Sequence, residues 1–151
     1  MTHETKPLPE TKALLIEGKD YKIVDFPTGE TEQKLDWYYG VLDCQCIDIV
    51  TPHGLDDLAR TAGLKNLVGE FCLITDDEAL LVADPQVNPI ASLLYGSDLH
   101  GQLLFGKVLV AKNQMRDDGI ETVGLNKLDI MQVLSAINAL ITVHNEKVAA
   151  D

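Results

Sequence analysis

Residues 66–106 read NLVGEFCLITDDEALLVADPQVNPIASLLYGSDLHGQLLFG, and the fold turns on how this stretch is parsed. It carries six carboxylates, Glu70, Asp76, Asp77, Glu78, Asp84 and Asp98, and neither lysine nor arginine. Glu70–Thr75 (EFCLIT) and Ala79–Ala83 (ALLVA) are short apolar runs suited to strands. Asp76-Asp77-Glu78 between them has the polarity of an exposed turn, so a β-hairpin with an acidic loop is expected. Asp84-Pro85 ends the second strand, because proline has no N–H to give a ladder. Asn88 before Pro89 is a helix cap followed by the favoured first helical residue. Ile90, Leu93 and Leu94 supply its buried stripe, and Gly96 ends it. Gln102–Ala111 reads as a further strand, interrupted at Gly106.

Toward the N-terminus, Lys12–Glu17 (KALLIE) and Tyr21–Phe26 (YKIVDF) flank Gly18-Lys19-Asp20 and predict a hairpin. Pro27-Thr28-Gly29 stops it, and a helix starts at Thr31, where Glu30 and Glu32 suit the positive end of the dipole. Leu35, Tyr38 and Tyr39 fall at helical spacing with Trp37 on the flank, and Gly40 marks the end. Val41–Val50 is expected as a strand with Cys44, Cys46, Asp48 and Val50 on one face. After the turn Thr51–Gly54, Leu55, Leu58, Ala59 and Ala62 predict a short one-sided helix closed by Gly63.

Toward the C-terminus, Asn113–Gly119 reads as a polar loop. Asn126 with Asp129 then resembles a capped helix start. Leu128, Met131, Leu134, Ile137, Ile141 and His144 belong to an apolar face too broad for a lone surface helix. That helix is expected to lie across the sheet or to pair with a second copy. The whole is expected to be one α+β domain, with a mixed, mostly antiparallel sheet of about five to six strands, short helices and a long C-terminal helix. A flexible arm (1–11), a body (12–124) and the terminal helix (125–147) divide it.

Net charge is −12, from 24 acids against 12 bases. Such a field repels phosphate backbones and anionic membrane surfaces, so direct nucleic-acid or membrane binding is disfavoured and a basic protein is favoured. No apolar run reaches the roughly 18 residues of a membrane span. Nor does the polar start MTHETKPLPETK resemble a signal peptide. A cytoplasmic setting is expected, consistent with three cysteines in no framework spacing.

Motifs for chemistry are weak. Gly101–Lys107 matches G-x-x-x-x-G-K, but Val108 replaces the magnesium-binding hydroxyl and the interior Leu-Leu-Phe is a strand sequence. A zinc site from Cys44, Cys46, Cys72 and His53 would need C-x-C in place of the usual C-x₂-C, and small buried thiols are common in cores. Asp76, Asp77, Glu78 and Asp84 are hard oxygen donors, yet the calcium-loop pattern is missing. The histidines have no zinc-enzyme spacing, and no nucleophile elbow surrounds Ser92. No catalytic residue, metal or cofactor is assigned.

The order of pieces nevertheless resembles a known family. KALLIE, a helix into Tyr39-Gly40, a strand ending Ile47-Asp48-Ile49-Val50, the acidic turn Asp76-Asp77-Glu78, Asn88-Pro89 with Ala91, and Gly101 with Gly106-Lys-Val-Leu-Val are its marks. Over about residues 12–112 the chain resembles the domain-of-unknown-function family numbered 3846, found in phages, plasmids and their host genomes. It departs at Ala79, where that turn has glycine, and at Lys112, where a glycine closes the last strand. The resemblance implies a small accessory protein of a mobile element and brings no catalytic residue.

Two functions follow. The first is a non-enzymatic protein that contacts another protein, a basic host protein being the expected kind and an acidic decoy of DNA one version. Its interaction residues would be Asp76, Asp77, Glu78, Asp84 and Asp98 with Leu134, Ile137 and Ile141 of the terminal helix; those three with His144 also predict a homodimer. The rival is a small-ligand or divalent-metal-dependent protein using Asp76, Asp77, Glu78 and Asp84 with His100.

Overall fold

The computed structural model describes residues 11–27 and 31–150. The N-terminal arm, the Thr28-Gly29 stop and Glu30 lie outside the described residues, except Thr11. Among these residues six strands form one sheet: β1 (Lys12–Glu17), β2 (Asp20–Asp25), β3 (Ile47–Val50), β4 (Phe71–Asp76), β5 (Val108–Arg116) and β6 (Gly119–Val123). Five α-helices among the described residues surround it: α1 (Thr31–Leu42), α2 (His53–Thr61), α3 (Pro89–Tyr95), α4 (Ser97–His100) and α5 (Lys127–Ala150). The sheet order is β2-β1-β5-β4-β3, with β6 on β5, and every pairing is antiparallel. The expected single α+β fold is what forms.

Three layers explain why the central strands are apolar throughout. Successive side chains of a strand point to opposite faces. Ala13, Leu15, Cys72, Ile74, Leu109 and Ala111 pack with Phe26, Tyr38 and Leu42 under α1. Their neighbours Leu14, Ile16, Phe71, Leu73, Val108 and Val110 pack with Leu55, Ile90, Leu94, Val133 and Ile137 under α2, α3 and α5. A strand buried on both faces has no polar register, so KALLIE and FCLIT read as plain apolar runs.

The helix ends follow their capping chemistry. The Asn88 side chain accepts from the Ala91 N–H, and Gly96 closes α3 with φ 104°. At the start of α5 the Asp129 N–H donates to Asn126 Oδ1 (2.8 Å) while Asp129 Oδ2 accepts from the Asn126 N–H (2.9 Å). Each satisfies a group the helix terminus would leave unpaired.

Four expectations fail, each for a physical reason. Ala79–Ala83 is not a strand: Ala79–Leu81 forms a 3-10 turn, and Leu80, Leu81 and Val82 are 63%, 77% and 53% exposed. Both edges of β4 are already taken, by β3 and β5, so the local run finds no free edge. Gly40 does not stop α1, which continues to Leu42 and ends at Asp43 with φ 53°, a left-handed conformation aspartate tolerates. Strand β3 is correspondingly short, and Cys44 and Cys46 lie before it rather than on it. Finally, Gln102–Lys107 holds only an isolated Val87–Phe105 bridge, whereas the polar stretch after Ala111 is strand: β5 runs to Arg116 and turns through Asp117-Asp118 into β6.

Candidate interaction surface

The segment from Asp76 to Val87 is held at both ends, and residues 80–84 in its middle are exposed. At the near end the Asp77 N–H donates to Cys46 O (3.0 Å), and Asp76 Oδ1 accepts from the Glu78 N–H (2.9 Å). At the far end the Gly106 N–H donates to Gln86 O (2.8 Å) and the Asn88 N–H to Leu104 O (2.8 Å). Asn88 itself is fully buried, and its Nδ2 donates to Ile16 O and Gly106 O, both at 2.9 Å. One amide side chain therefore joins β1, the Gly106 loop and the start of α3. Between these anchors Leu80, Leu81 and Val82 face water with Asp77, Glu78 and Asp84 exposed beside them.

Behind the segment lies a hollow of about 230 Å³, lined by Glu17, Asp43, Asp76, Val82 and Asp84 with Lys107. The hollow brings together carboxylates from the ends of β1, α1 and β4. They do not converge: among the described residues no group of three or more His, Cys, Asp or Glu side chains is arranged to hold a metal ion. Asp77 and Glu78 are not part of the lining.

The other expected site residues lie elsewhere. Asp98, in α4, accepts from His144 Nδ1 on α5, with both carboxylate oxygens at 3.0 Å. Ile137 belongs to the core at 4% exposure, and Leu134 and Ile141 pack against that core. These three face their own domain. The half of the apolar stripe left in water is a different one, Leu128 and Met131, at 54% and 57% exposure.

His100 is committed to local structure. Its Nδ1 accepts from the Gln102 N–H (3.1 Å), so Nε2 carries the proton it shares with Tyr95 O at 3.0 Å. With both nitrogens engaged, the ring offers no lone pair to a metal or reactant without breaking a bond. Its ring packs on Tyr95 and His53, whose centroids lie 4.8 and 6.4 Å away.

The cysteines are likewise turned away from thiolate chemistry. Burial pushes the Cys72 thiol up to about 12. Cys44 is raised by burial and by Asp76, and Cys46 by its hydrogen bond to Glu78 and by the neighbouring acids. A reactive thiol or zinc ligand needs the opposite field.

Sequence reasoning missed a cleft of about 520 Å³ between α1, β3 and the β5–β6 hairpin. Lys34 Nζ donates to Glu121 Oε1 (3.1 Å) and Thr122 O (3.1 Å), and Arg116 Nε donates to Glu121 Oε2 (2.6 Å). These two cations hold the Glu121 carboxyl below its usual range. Burial pushes the Tyr38 phenol well above its ordinary value, and its hydroxyl has no partner among the described residues. Asp117-Asp118-Gly119 between two alternating runs was the available signal, because a D-G pair between strands marks a hairpin.

No protein-family model matches the chain, and no curated protein or solved structure matches it.

Proposed function

We propose that this chain is a non-enzymatic accessory protein that binds another protein through the Asp76–Val87 segment. The observation that carries this reading is the Leu80-Leu81-Val82 run, more than half exposed and fixed at both ends among Asp77, Glu78 and Asp84. Full burial of each such side chain in a partner contributes roughly 1.5–3 kcal/mol. The carboxylates add orientation and association rate more than affinity, and they select a partner surface that is basic around an apolar cleft. The order of short motifs supports a phage or plasmid accessory role acting in the host cytoplasm. Among the described residues no helix is long and apolar enough to cross a membrane.

Capture from host lysate at low and high salt tests the reading, with wild type beside Leu81→Ser and the triple variant Asp76→Asn, Asp77→Asn, Glu78→Gln. A salt-sensitive partner lost in both variants is the expected result. Capture that is salt-insensitive, or unchanged by both variants, refutes it.

The hollow lined by Glu17, Asp43, Asp76 and Asp84 favours one second reading, a small cationic ligand or divalent ion. Ligand binding must stabilise the folded state by mass action. A thermal-shift panel of divalent metals, nucleotides and polyamines that leaves the midpoint unmoved eliminates that reading.

A further inference from the structure

The structure points to a second, independent surface: we propose that the groove between α2 and α5 is the interface of a two-fold homodimer. The groove has a volume of about 500 Å³, with Leu55, Ala59 and Phe71 at its floor and Leu64, Leu128 and Met131 standing at its rim. Those three rim residues are 48%, 54% and 57% exposed.

Charge decides what covers it. None of the fourteen residues lining the groove is charged, although 24% of the chain is. Helix α5 continues the pattern, since Ile130–Asn145 contains no Asp, Glu, Lys or Arg. Depletion of charge over an exposed apolar patch is the compositional mark of an interface core. In a chain of net charge −12 the patch brings no like-charge contact into the seam between two copies, because the carboxylates lie outside the groove lining. A basic or acidic partner would bury its own charges here without a counter-ion, at high cost. A second copy brings the same uncharged surface.

Shape agrees. A two-fold interface is self-complementary, so each projection must meet a recess on the same patch. If two α5 helices cross antiparallel at Ser135, residues equidistant from it face each other. Met131 then meets the second copy's Ala139, and Leu128 meets its Thr142, large against small on both sides of the axis. The face used is not that of Leu134, Ile137 and Ile141, which pack on their own core.

Sedimentation velocity on the full chain from about 1 to about 500 μM tests the proposal over the affinity range of ordinary homodimers. The expected species has twice the 16.6 kDa chain mass, and a monomer at every concentration overturns it. Met131→Glu, at an exposed position, should weaken association on the order of a hundredfold or more by burying an unpaired charge. A dimer of unchanged affinity in that variant refutes this face. If circular dichroism shows Met131→Glu unfolded, Ser135→Cys in a Cys44→Ser, Cys46→Ser background decides instead. Residues on a two-fold axis lie close enough for a disulfide. Mild oxidation should give a covalent dimer, and its failure to form overturns the crossing.

Discussion

Asn88→Ala should be among the most damaging single changes to the fold outside the apolar core, and its cost can be worked from three hydrogen bonds. The side chain caps α3 through the Ala91 N–H (3.1 Å), a role whose loss costs about 1 kcal/mol. It also donates at 2.9 Å to Ile16 O and to Gly106 O, each such bond contributing about 1 kcal/mol net and leaving a poorly solvated carbonyl when removed. The total is about 3 kcal/mol, a large part of the 5–15 kcal/mol typical of a domain. The melting midpoint should fall by roughly 6–12 °C. Urea unfolding followed by the single Trp37 measures this, since that residue sits on the opposite face of the sheet and reports global unfolding. Asn88→Asp separates the roles, because it keeps the cap acceptor but points a carboxylate at two carbonyl oxygens. At neutral pH it should be no better than alanine. As pH falls the carboxyl gains a proton it can donate, so stability should return toward acid and be lost again as pH rises. A loss below about 1 kcal/mol for Asn88→Ala, or an aspartate variant as stable as wild type at pH 7, would refute this account.

The remaining expectations are simpler. A Cβ at Gly54 would lie 2.1 Å from Leu93 O, so Gly54→Ala should force α2 and α3 apart and cost several kcal/mol, on the order of an overpacked core. Gly40→Ala, in the exposed side of α1 with nothing within 4 Å, should instead stabilise by about 0.5–1 kcal/mol in the same denaturation assay. Burial holds the folded Cys72 thiol protonated up to about 12, against 9.0 for a free thiol. The folded state therefore binds the extra proton between those values, and stability should fall as pH rises through that window, with Cys72→Val flattening the slope. Leu81→Ser, at 77% exposure, should change stability by no more than about 0.5 kcal/mol by the same measurement, so that any loss of capture is a binding effect.

Local chemistry was legible wherever a few neighbouring residues decide the outcome. Asn88-Pro89 with Gly96, Asn126 with Asp129, and Gly18 between KALLIE and YKIVDF all form the caps and the turn that their residue types specify. What sequence could not supply was the competition for strand edges. ALLVA has a strand's composition, yet β4 takes β3 and β5, partners distant in sequence on either side, and local pairing loses to burial on both faces. The same competition runs the other way at KNQMR: a polar run becomes strand because β5 must extend past β4 to meet β6. The candidate site is a product of that exchange. A run with the apolarity of a core strand is displaced to the surface, Asn88 and the Gly106 loop fix its far end, and the carboxylates that flanked an expected hairpin turn become the border of an exposed apolar patch. Its exposure brings no stabilisation from the chain's own core, and that is the physical motive for the proposal that another protein covers it.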